Sequence, residues 1–530
     1  MWWFFVLLLG APIVFFIFLY RTQKHWERRG LKQKNMGVTI PDNWAETKYP
    51  ITFPDYVQKF YEMFPNRRYV GYYTISNPSL FIRDLDLIKQ IIVKDFEYFT
   101  DHQHFIWEEN DPLWSQNLFS LKGKKWREMR TTLSPTFTSS KIKYMFTLVQ
   151  KNGEQFARYF LDKNENFMVF EMKDIFTRFT NDVIASSAFG VECDSLREPQ
   201  NEFYLMSKAV TDFTGLWKIV AGTFYFLMPS VAKFLNISLF PKKGSKFFSN
   251  LVKSNIKSRL QHGIVRPDMI NIMLEARKHG LKHEETQPSQ DTGFATIEES
   301  ELGKSGKVKK EITDDDITSQ ALVFIFAGFE TVSSMMCFLS YELALNPDIQ
   351  KRLIQEIDQT LDACGGSITY ESLMGMKYLD MVLTESLRKW PISAGLDRVC
   401  TKEYVIEPKL PGENPVRVDK GTTILVPVYA LLRDPKYFPN PEKFDPERFS
   451  DENKGKIVPY TFLPFGAGPR SCIGTRFAIM ETKVLFFSIL RHFEIVRVEK
   501  TAVPIRYIPQ QITLSSADGF WLGFKRRVKV

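Results

Sequence analysis

The sequence predicts a mainly α-helical protein with a small β-sheet, preceded by an N-terminal transmembrane helix. Three observations carry this. Apolar residues recur three or four apart through most of the chain, the period of a helix with one buried face. Short β-type runs occur only near the start, in the middle and near the end. Residues 1–20, MWWFFVLLLGAPIVFFIFLY, hold no charged side chain; as a helix they would span roughly 30 Å, about the thickness of a bilayer's hydrocarbon core.

The N-terminal segment lacks the basic start and small-residue cleavage site of a removable signal peptide. Arg21, Lys24, Arg28, Arg29, Lys32 and Lys34 follow it. Positive residues stay on the cytoplasmic side, so the bulk of the chain is expected in the cytosol behind a signal anchor. Residues 21–50 read as a basic hinge and 51–530 as the folded body; at that length two domains are the default expectation, although no Pro/Gly/Ser-rich linker divides it and no internal repeat occurs. Helices are expected over Lys141–Phe160, Phe170–Phe189, Phe203–Leu216, Leu251–Leu260, Met269–Ala276, Ile349–Leu361, Leu379–Lys389 and Thr475–His492. Strands are expected over Tyr69–Ile75, Leu80–Ile82, Ile424–Pro427, Phe493–Val498, Pro509–Leu514 and Phe520–Lys525. The hydrophilic stretch from Arg277 to Glu311 reads as a long surface loop.

One helix differs from the rest. Thr313 followed by Asp316 forms a capping box. Apolar helix then runs to about Leu345, where Asn346-Pro347 ends it. A helix apolar on nearly every side must cross the middle of the fold.

Composition narrows the function. The net charge of +9 is not gathered into a run that would suit nucleic acid. The five cysteines (Cys193, Cys337, Cys364, Cys400 and Cys472) are odd in number, widely spaced and without a CxxC, which argues against a disulfide framework or a zinc site.

Cys472 is set apart by its surroundings. Residues 464–474 read PFGAGPRSCIG and a helix follows. Gly466 and Gly468 permit backbone angles closed to other residues. Cys472 then stands before a helix N-terminus, whose free N–H groups and dipole favour an anion and are expected to lower the thiol pKa. Gly474 would let the helix start lie close to a flat ligand. Phe465 would pack on that ligand, and Arg470 would pair with an acidic group on its rim.

This F-x-x-G-x-R-x-C-x-G loop resembles the haem-binding signature of the cytochrome P-450 superfamily, with every position filled. The resemblance covers almost the whole chain and implies the cytochrome P-450 fold, a haem b cofactor and Cys472 as the axial metal ligand. Within the superfamily, the stretches LSPTFTSSKIKYMF, NDVIASSAFGVECDSLREPQNEFY and DTGFATIEESELGKSGK are similar to family nine of the insect enzymes. That branch is microsomal and is linked to the oxidation of xenobiotics and insecticides.

Further segments match family motifs. Glu385 and Arg388 form an ExxR, and Pro446-Glu447-Arg448-Phe449 the PERF-type segment; the resemblance implies that Glu385, Arg388 and Arg448 lock the core beneath the haem. Ala327-Gly328-Phe329-Glu330-Thr331 in the long helix is similar to the A-G-x-D/E-T motif of oxygen activation, which implies proton relay by Glu330 and Thr331. Val332 departs from the second hydroxyl residue that many members carry there. Gly328 costs about 1 kcal/mol relative to Ala in mid-helix, tolerable where a ligand approaches the backbone. A carboxylate left unpaired in so apolar a helix would be expensive, which also points to function. Trp126 and Arg130 fit W-x-x-x-R and, with Arg398, are implied haem-propionate contacts; His102 is a further candidate. Ile392, Ser393, Ala394 and Gly395 are implied to border the substrate pocket.

The resemblance implies a monooxygenase that inserts one atom of O2 into an apolar substrate at the endoplasmic reticulum membrane. The chain has no nucleotide fingerprint or flavin domain, so NADPH electrons would come through a flavoprotein reductase, with cytochrome b5 as an optional second donor. The basic strip with Lys122, Lys124, Lys125 and Arg127 would suit an acidic partner. A second apolar stretch, Phe213 to Phe240, would either dip into the bilayer or form a packed helix pair. Two other functions remain open at this point: a haem-thiolate isomerase or dehydratase that needs no O2, and a non-catalytic haem or hydrophobic-ligand binder.

Overall fold

The helices that position the site are α1 (Gly123–Leu133), α2 (Ser139–Asp162), α3 (Met172–Ile184), α4 (Leu216–Leu227), α5 (Pro229–Phe234), α6 (Lys242–His262), α7 (Asp314–Leu345), α8 (Lys377–Lys389) and α9 (Thr475–Leu490). The computed structural model describes residues 24–33, 52–74, 77–213, 215–227, 229–279, 294–295, 312–508 and 514–528. The expected anchor at 1–20, most of the hinge at 21–50, most of the Arg277–Glu311 loop and nearly all of the expected strand Pro509–Leu514 lie outside these residues.

The central helix α7 starts where its cap dictates. The Thr313 side chain accepts from the Asp316 N–H and the Asp316 carboxylate accepts from the Thr313 N–H, both at 3.0 Å, satisfying two of the N–H groups that a helix start leaves open. It is long and apolar enough to cross a membrane, but most of it is buried inside the protein. It packs against α3, α6 and α8 and beneath the strands at the C-terminal end. Apolar burial on every side replaces the amphipathic stripe of an ordinary helix.

The helix expected over Phe170–Phe189 is divided. Phe167–Glu171 forms a strand, β3; α3 follows, with the Glu171 carboxylate capping it by accepting from the Asp174 N–H. The last turn widens over Ala185–Phe189 and stops at Gly190, φ 67°. Long-range pairing of β3 with a strand some 350 residues later overrides the local helical period.

Among the described residues the expected small sheet is three separate sheets. Strands β1 (Tyr69–Thr74), β2 (Asn77–Ile82), β7 (Thr423–Val426) and β4 (Leu396–Val399) lie in the order β1-β2-β7-β4, with only β2 and β7 parallel. Strand β9 (Trp521–Arg526) lies between β3 and β8 (Phe493–Arg497). Strands β5 (Tyr404–Ile406) and β6 (Val416–Val418) form a hairpin. At Gly71 of β1 an added Cβ would stand 2.5 Å from the Trp26 ring, so the segment before the domain packs directly on that strand.

A buried pair lies at the end of α6. Asp268 takes both terminal nitrogens of Arg259 at 2.6 Å, with both side chains almost fully buried. Removing one partner would strand the other charge. We expect Asp268→Ala to destabilise the folded state by about 3–5 kcal/mol, read as the shift in thermal unfolding of the haem-loaded protein. An unchanged melting temperature would show the pair to be dispensable.

Candidate active site

The cysteine loop is closed by its own backbone. The Cys472 N–H donates to the Phe465 carbonyl at 2.9 Å, and the Ser471 N–H to the Gly468 carbonyl at 2.9 Å. Gly466 and Gly468 hold φ of 75° and 71°, and a Cβ at Gly468 would lie 2.1 Å from the Ile92 carbonyl oxygen. Only glycine fits such an approach in that conformation. A Cβ at Gly474, between Cys472 and α9, would meet nothing within 4 Å.

Burial pushes the Cys472 thiol up; the Gly474 N–H, the Thr475 hydroxyl and Arg130 pull against it without prevailing. This corrects the expectation of a lowered pKa. The helix N-terminus supplies its hydrogen bonds, but burial outweighs them. Cys472 nevertheless has accessible surface although protein encloses it, so its surface opens onto interior space.

Cations gather beside the loop. Arg470 lies over the Trp126 ring at 4.0 Å and donates to the carbonyls of Thr100 and Leu121, each at 2.8 Å, and of Leu118 at 3.4 Å. Burial first, and then Arg398, push its guanidinium down to about 9. Arg398 is 1% exposed, donates to the Asp397 carbonyl at 2.6 Å, and leaves its Nε without a partner among the described residues. Arg130, on α1, is also buried and acts electrostatically on both Arg470 and Cys472. Asp101 stands 3.8 Å from Arg470, but the hydrogen bonds of Arg470 and Arg398 go to neutral carbonyls, and buried guanidinium groups held so call for further anions. With an accessible thiol beside them, these residues fit a haem: sulfur for iron, and guanidinium groups for two propionates.

In the middle of α7 the burial pattern breaks. Ile325 and Phe329 are buried, yet Phe326 is 39% exposed, Ala327 is exposed, and Gly328, Glu330 and Thr331 are partly so. The Phe326 ring lies edge-on to Phe213 and Phe240, at 6.0 and 6.2 Å. The Thr331 hydroxyl donates to the Ala327 carbonyl. Two expectations fail here. Gly328 admits Ile184 of α3, whose Cδ1 would be 2.9 Å from an added Cβ, so helix packing accounts for the glycine without a ligand. Glu330 is also not unpaired: Lys173 of α3 meets its carboxylate at 2.8 Å and donates to the Glu330 carbonyl (3.0 Å), Ser333 Oγ (2.9 Å) and Ser334 Oγ (2.7 Å).

Glu385 and Arg388 of α8 come together in full burial, at 2.8 and 2.9 Å. Arg448 Nε stands 3.5 Å from Glu385, which also accepts from the Asp445 N–H at 2.9 Å. Arg388 donates to the Leu432 carbonyl at 3.1 Å. The proposed pocket segment divides. Ile392 and Ser393 keep accessible surface, whereas Ala394 is fully buried and Gly395 packs on Leu425 and the Val426 carbonyl of β7. Ala394 therefore does not border accessible space.

Sequence reasoning missed Lys173 and Asp397. Lys173 reads as one more surface lysine on an amphipathic helix, and no local signal links it to a glutamate 157 positions later. Asp397 adjoins Arg398 and could have been singled out as an acid beside an expected propionate contact.

The family model described as Cytochrome P450 matches residues 48–522. Cytochrome P450 9e2 of Blattella germanica is 44% identical over 493 residues, covering 90% of this chain and 89% of that protein. Probable cytochrome P450 9f2 of Drosophila melanogaster is 38% identical over 543 residues, covering 99% and 100%. Cytochrome P450 6a2 of the same fly is 36% identical over 514 residues, covering 96% of each.

Proposed function

The chain belongs to the cytochrome P450 family and is a monooxygenase, and from that premise we propose that it oxidises small apolar compounds, foreign compounds and insecticides among them. The electrons come from NADPH through a flavoprotein reductase, with cytochrome b5 as a second donor. The setting is the cytosolic face of the endoplasmic reticulum membrane, with residues 1–20 as anchor.

One observation carries the substrate class: the mid-helix turn of α7 that keeps accessible surface is apolar, Phe326 and Ala327, with the Phe213 and Phe240 rings beside it. Such a surface gains by taking apolar groups out of water and offers few polar atoms to orient a charged substrate. Cys472 would hold the iron, and Arg130, Arg398, Arg470 and Trp126 the propionate edge. When bound, the haem supplies the redox chemistry that splits dioxygen. The protein's own part is to orient the substrate and deliver protons. Thr331 Oγ1 presents a hydroxyl one turn beyond Ala327, and Glu330, held by Lys173, is the nearby carboxylate. Glu385, Arg388 and Arg448 hold the scaffold.

Purified protein with reductase and NADPH should convert apolar probes, plant compounds and insecticides included, with product formed in proportion to NADPH used. Product from an organic hydroperoxide alone, with none from NADPH and O2, would replace this reading with an isomerase.

The same reading places α4 and α5 against the lipid. Trp217 is 84% exposed and Phe234 86%, with Phe224 and Phe226 also exposed. Burying a large apolar ring contributes about 1.5–3 kcal/mol. In protein lacking residues 1–20, Trp217→Ser with Phe234→Ser should lower vesicle partition more than roughly tenfold. Unchanged partition would remove these helices from the membrane contact.

A further inference from the structure

Beside the cation cluster an acid and an imidazole are joined: His102 stands so far only as a candidate propionate contact, and Asp397 has no role in the reading above. The segment Thr100–Gln103 runs along β4: Asp101 bridges to Val399, whose N–H donates to the Asp101 carbonyl at 2.8 Å. Asp397 of β4 spends both oxygens on this segment. Its Oδ1 lies 2.9 Å from His102 Nδ1, and its Oδ2 accepts from the Gln103 N–H at 2.6 Å. The imidazole also stacks on Phe119, centroids 4.8 Å apart and planes 20° off parallel. One edge and one face of the ring are therefore fixed.

An ionised carboxylate only accepts, so the Nδ1 of His102 carries the proton and Nε2 is left as the uncommitted nitrogen. Asp397 is ionised: burial pushes it up, but His102, the Gln103 N–H and Arg398 outweigh this and hold it at about 2. Among the described residues nothing bonds Nε2. His102 lies within electrostatic reach of Arg398 and Arg470, the two guanidinium groups placed at the propionate edge. The other charged groups of the cluster are Arg130, Lys122 and Asp101. Four cations (Arg130, Arg398, Arg470 and Lys122) thus face two carboxylates (Asp101 and Asp397).

We propose that Asp397 is a positioning residue for the haem, fixing His102 so that Nε2 meets a propionate and takes one proton from solvent as it does so. The inference rests on the haem reading of the site. The proton balance follows from the donors. A neutral ring with its hydrogen on Nδ1 would meet a propionate lone pair with its own. One proton from solvent on Nε2 turns that contact into a charge-assisted hydrogen bond. The imidazolium is then shared by two carboxylates, and no bond other than N–H is made or broken. Without the Asp397 charge, the second proton would be held by the propionate alone.

The experiment uses the haem-loaded protein and compares wild type, His102→Phe, Asp397→Asn and the double variant. Asp397→Asn keeps the size of the side chain and an acceptor for the Gln103 N–H, so a simple loop clamp survives it. The reduced–CO spectrum comes first: loss of the thiolate-type band in wild type would sink the haem reading itself, separately from this one. With the band intact, we expect haem transfer to apomyoglobin to speed up by roughly tenfold in each single variant, the consequence of a lost charge-assisted hydrogen bond. The haem midpoint potential of wild type should depend on pH across the neutral range, and each variant should flatten that dependence. The double variant should match His102→Phe, because the acid acts only through the imidazole. Wild-type behaviour in Asp397→Asn, no effect of His102→Phe, or additive losses in the double variant would each overturn the assignment.

Discussion

Replacing Cys472 with histidine is expected to abolish the thiolate-type reduced–CO band and to reduce NADPH-dependent product formation to background, while haem is still taken up. The geometry gives the reason. The loop from Phe465 to Cys472 is closed by main-chain hydrogen bonds and by two glycines with positive φ, so the residue at 472 is aimed by backbone whatever its side chain. An imidazole presented there remains a ligand, but a neutral nitrogen lacks the electron donation by which a thiolate favours O–O cleavage. Replacing Cys193, Cys337, Cys364 or Cys400 by alanine should leave the band in place. Burial pushes Cys337 up, Cys400 up to about 11 and Cys193 up to about 12, as it also pushes Cys472 up, so the distinction lies in the loop that presents Cys472. Among the described residues none of these four stands in a glycine-shaped turn before a long helix. A thiolate-type band that survives in Cys472→His, or that vanishes with one of the other four, would refute the assignment.

Local physics made much of this molecule legible before its structure. The capping box at Thr313 and Asp316 and the stop at Asn346-Pro347 bound α7 because a helix end leaves donors and acceptors that nearby side chains must satisfy. The ExxR pair was readable because residues three apart share a helix face. What escaped was set by distance along the chain. Strand β3 is short and its partner β9 lies in the last tenth of the sequence, so its pairing leaves no periodic signal: Phe170 and Glu171 were absorbed into a helix and Phe167–Val169 went unassigned. Gly328 was read through a ligand when its cause is Ile184, about 140 residues earlier. Ala394 sat in a segment similar to pocket segments, but solvent access depends on β7 and on the Tyr429 N–H that its carbonyl receives. The thiol of Cys472 shows the same limit in electrostatics: helix-end donors are visible in sequence, whereas burial, the larger contribution here, is not.

Thr331→Ala should leave NADPH consumption largely intact and divert it to hydrogen peroxide, with product per NADPH lower by about 10²-fold, the lower end of what a positioned proton donor contributes. The structure adds a second handle on the same step. Lys173 meets Glu330 at its carboxylate and its carbonyl and ties it to Ser333 and Ser334, so the acid is held on the α3 side of α7. For Glu330 to hand on a proton, its carboxylate must exchange that ammonium for water or for the Thr331 hydroxyl, which in turn must leave the Ala327 carbonyl. Lys173→Met removes the hold but also the cation that keeps a half-buried carboxylate favourable. We expect it to lower product per NADPH by about tenfold, less than Thr331→Ala, because general acid–base catalysis here keeps the positioned hydroxyl while the Glu330 carboxylate loses the partner that fixes it. The variants act on one pathway, so the double variant should be no worse than Thr331→Ala alone. A solvent deuterium isotope effect on product formation should grow in Lys173→Met as proton delivery becomes limiting. Losses that multiply in the double variant would show that Lys173 serves the fold alone, and unchanged coupling in Thr331→Ala would remove the hydroxyl from proton delivery altogether.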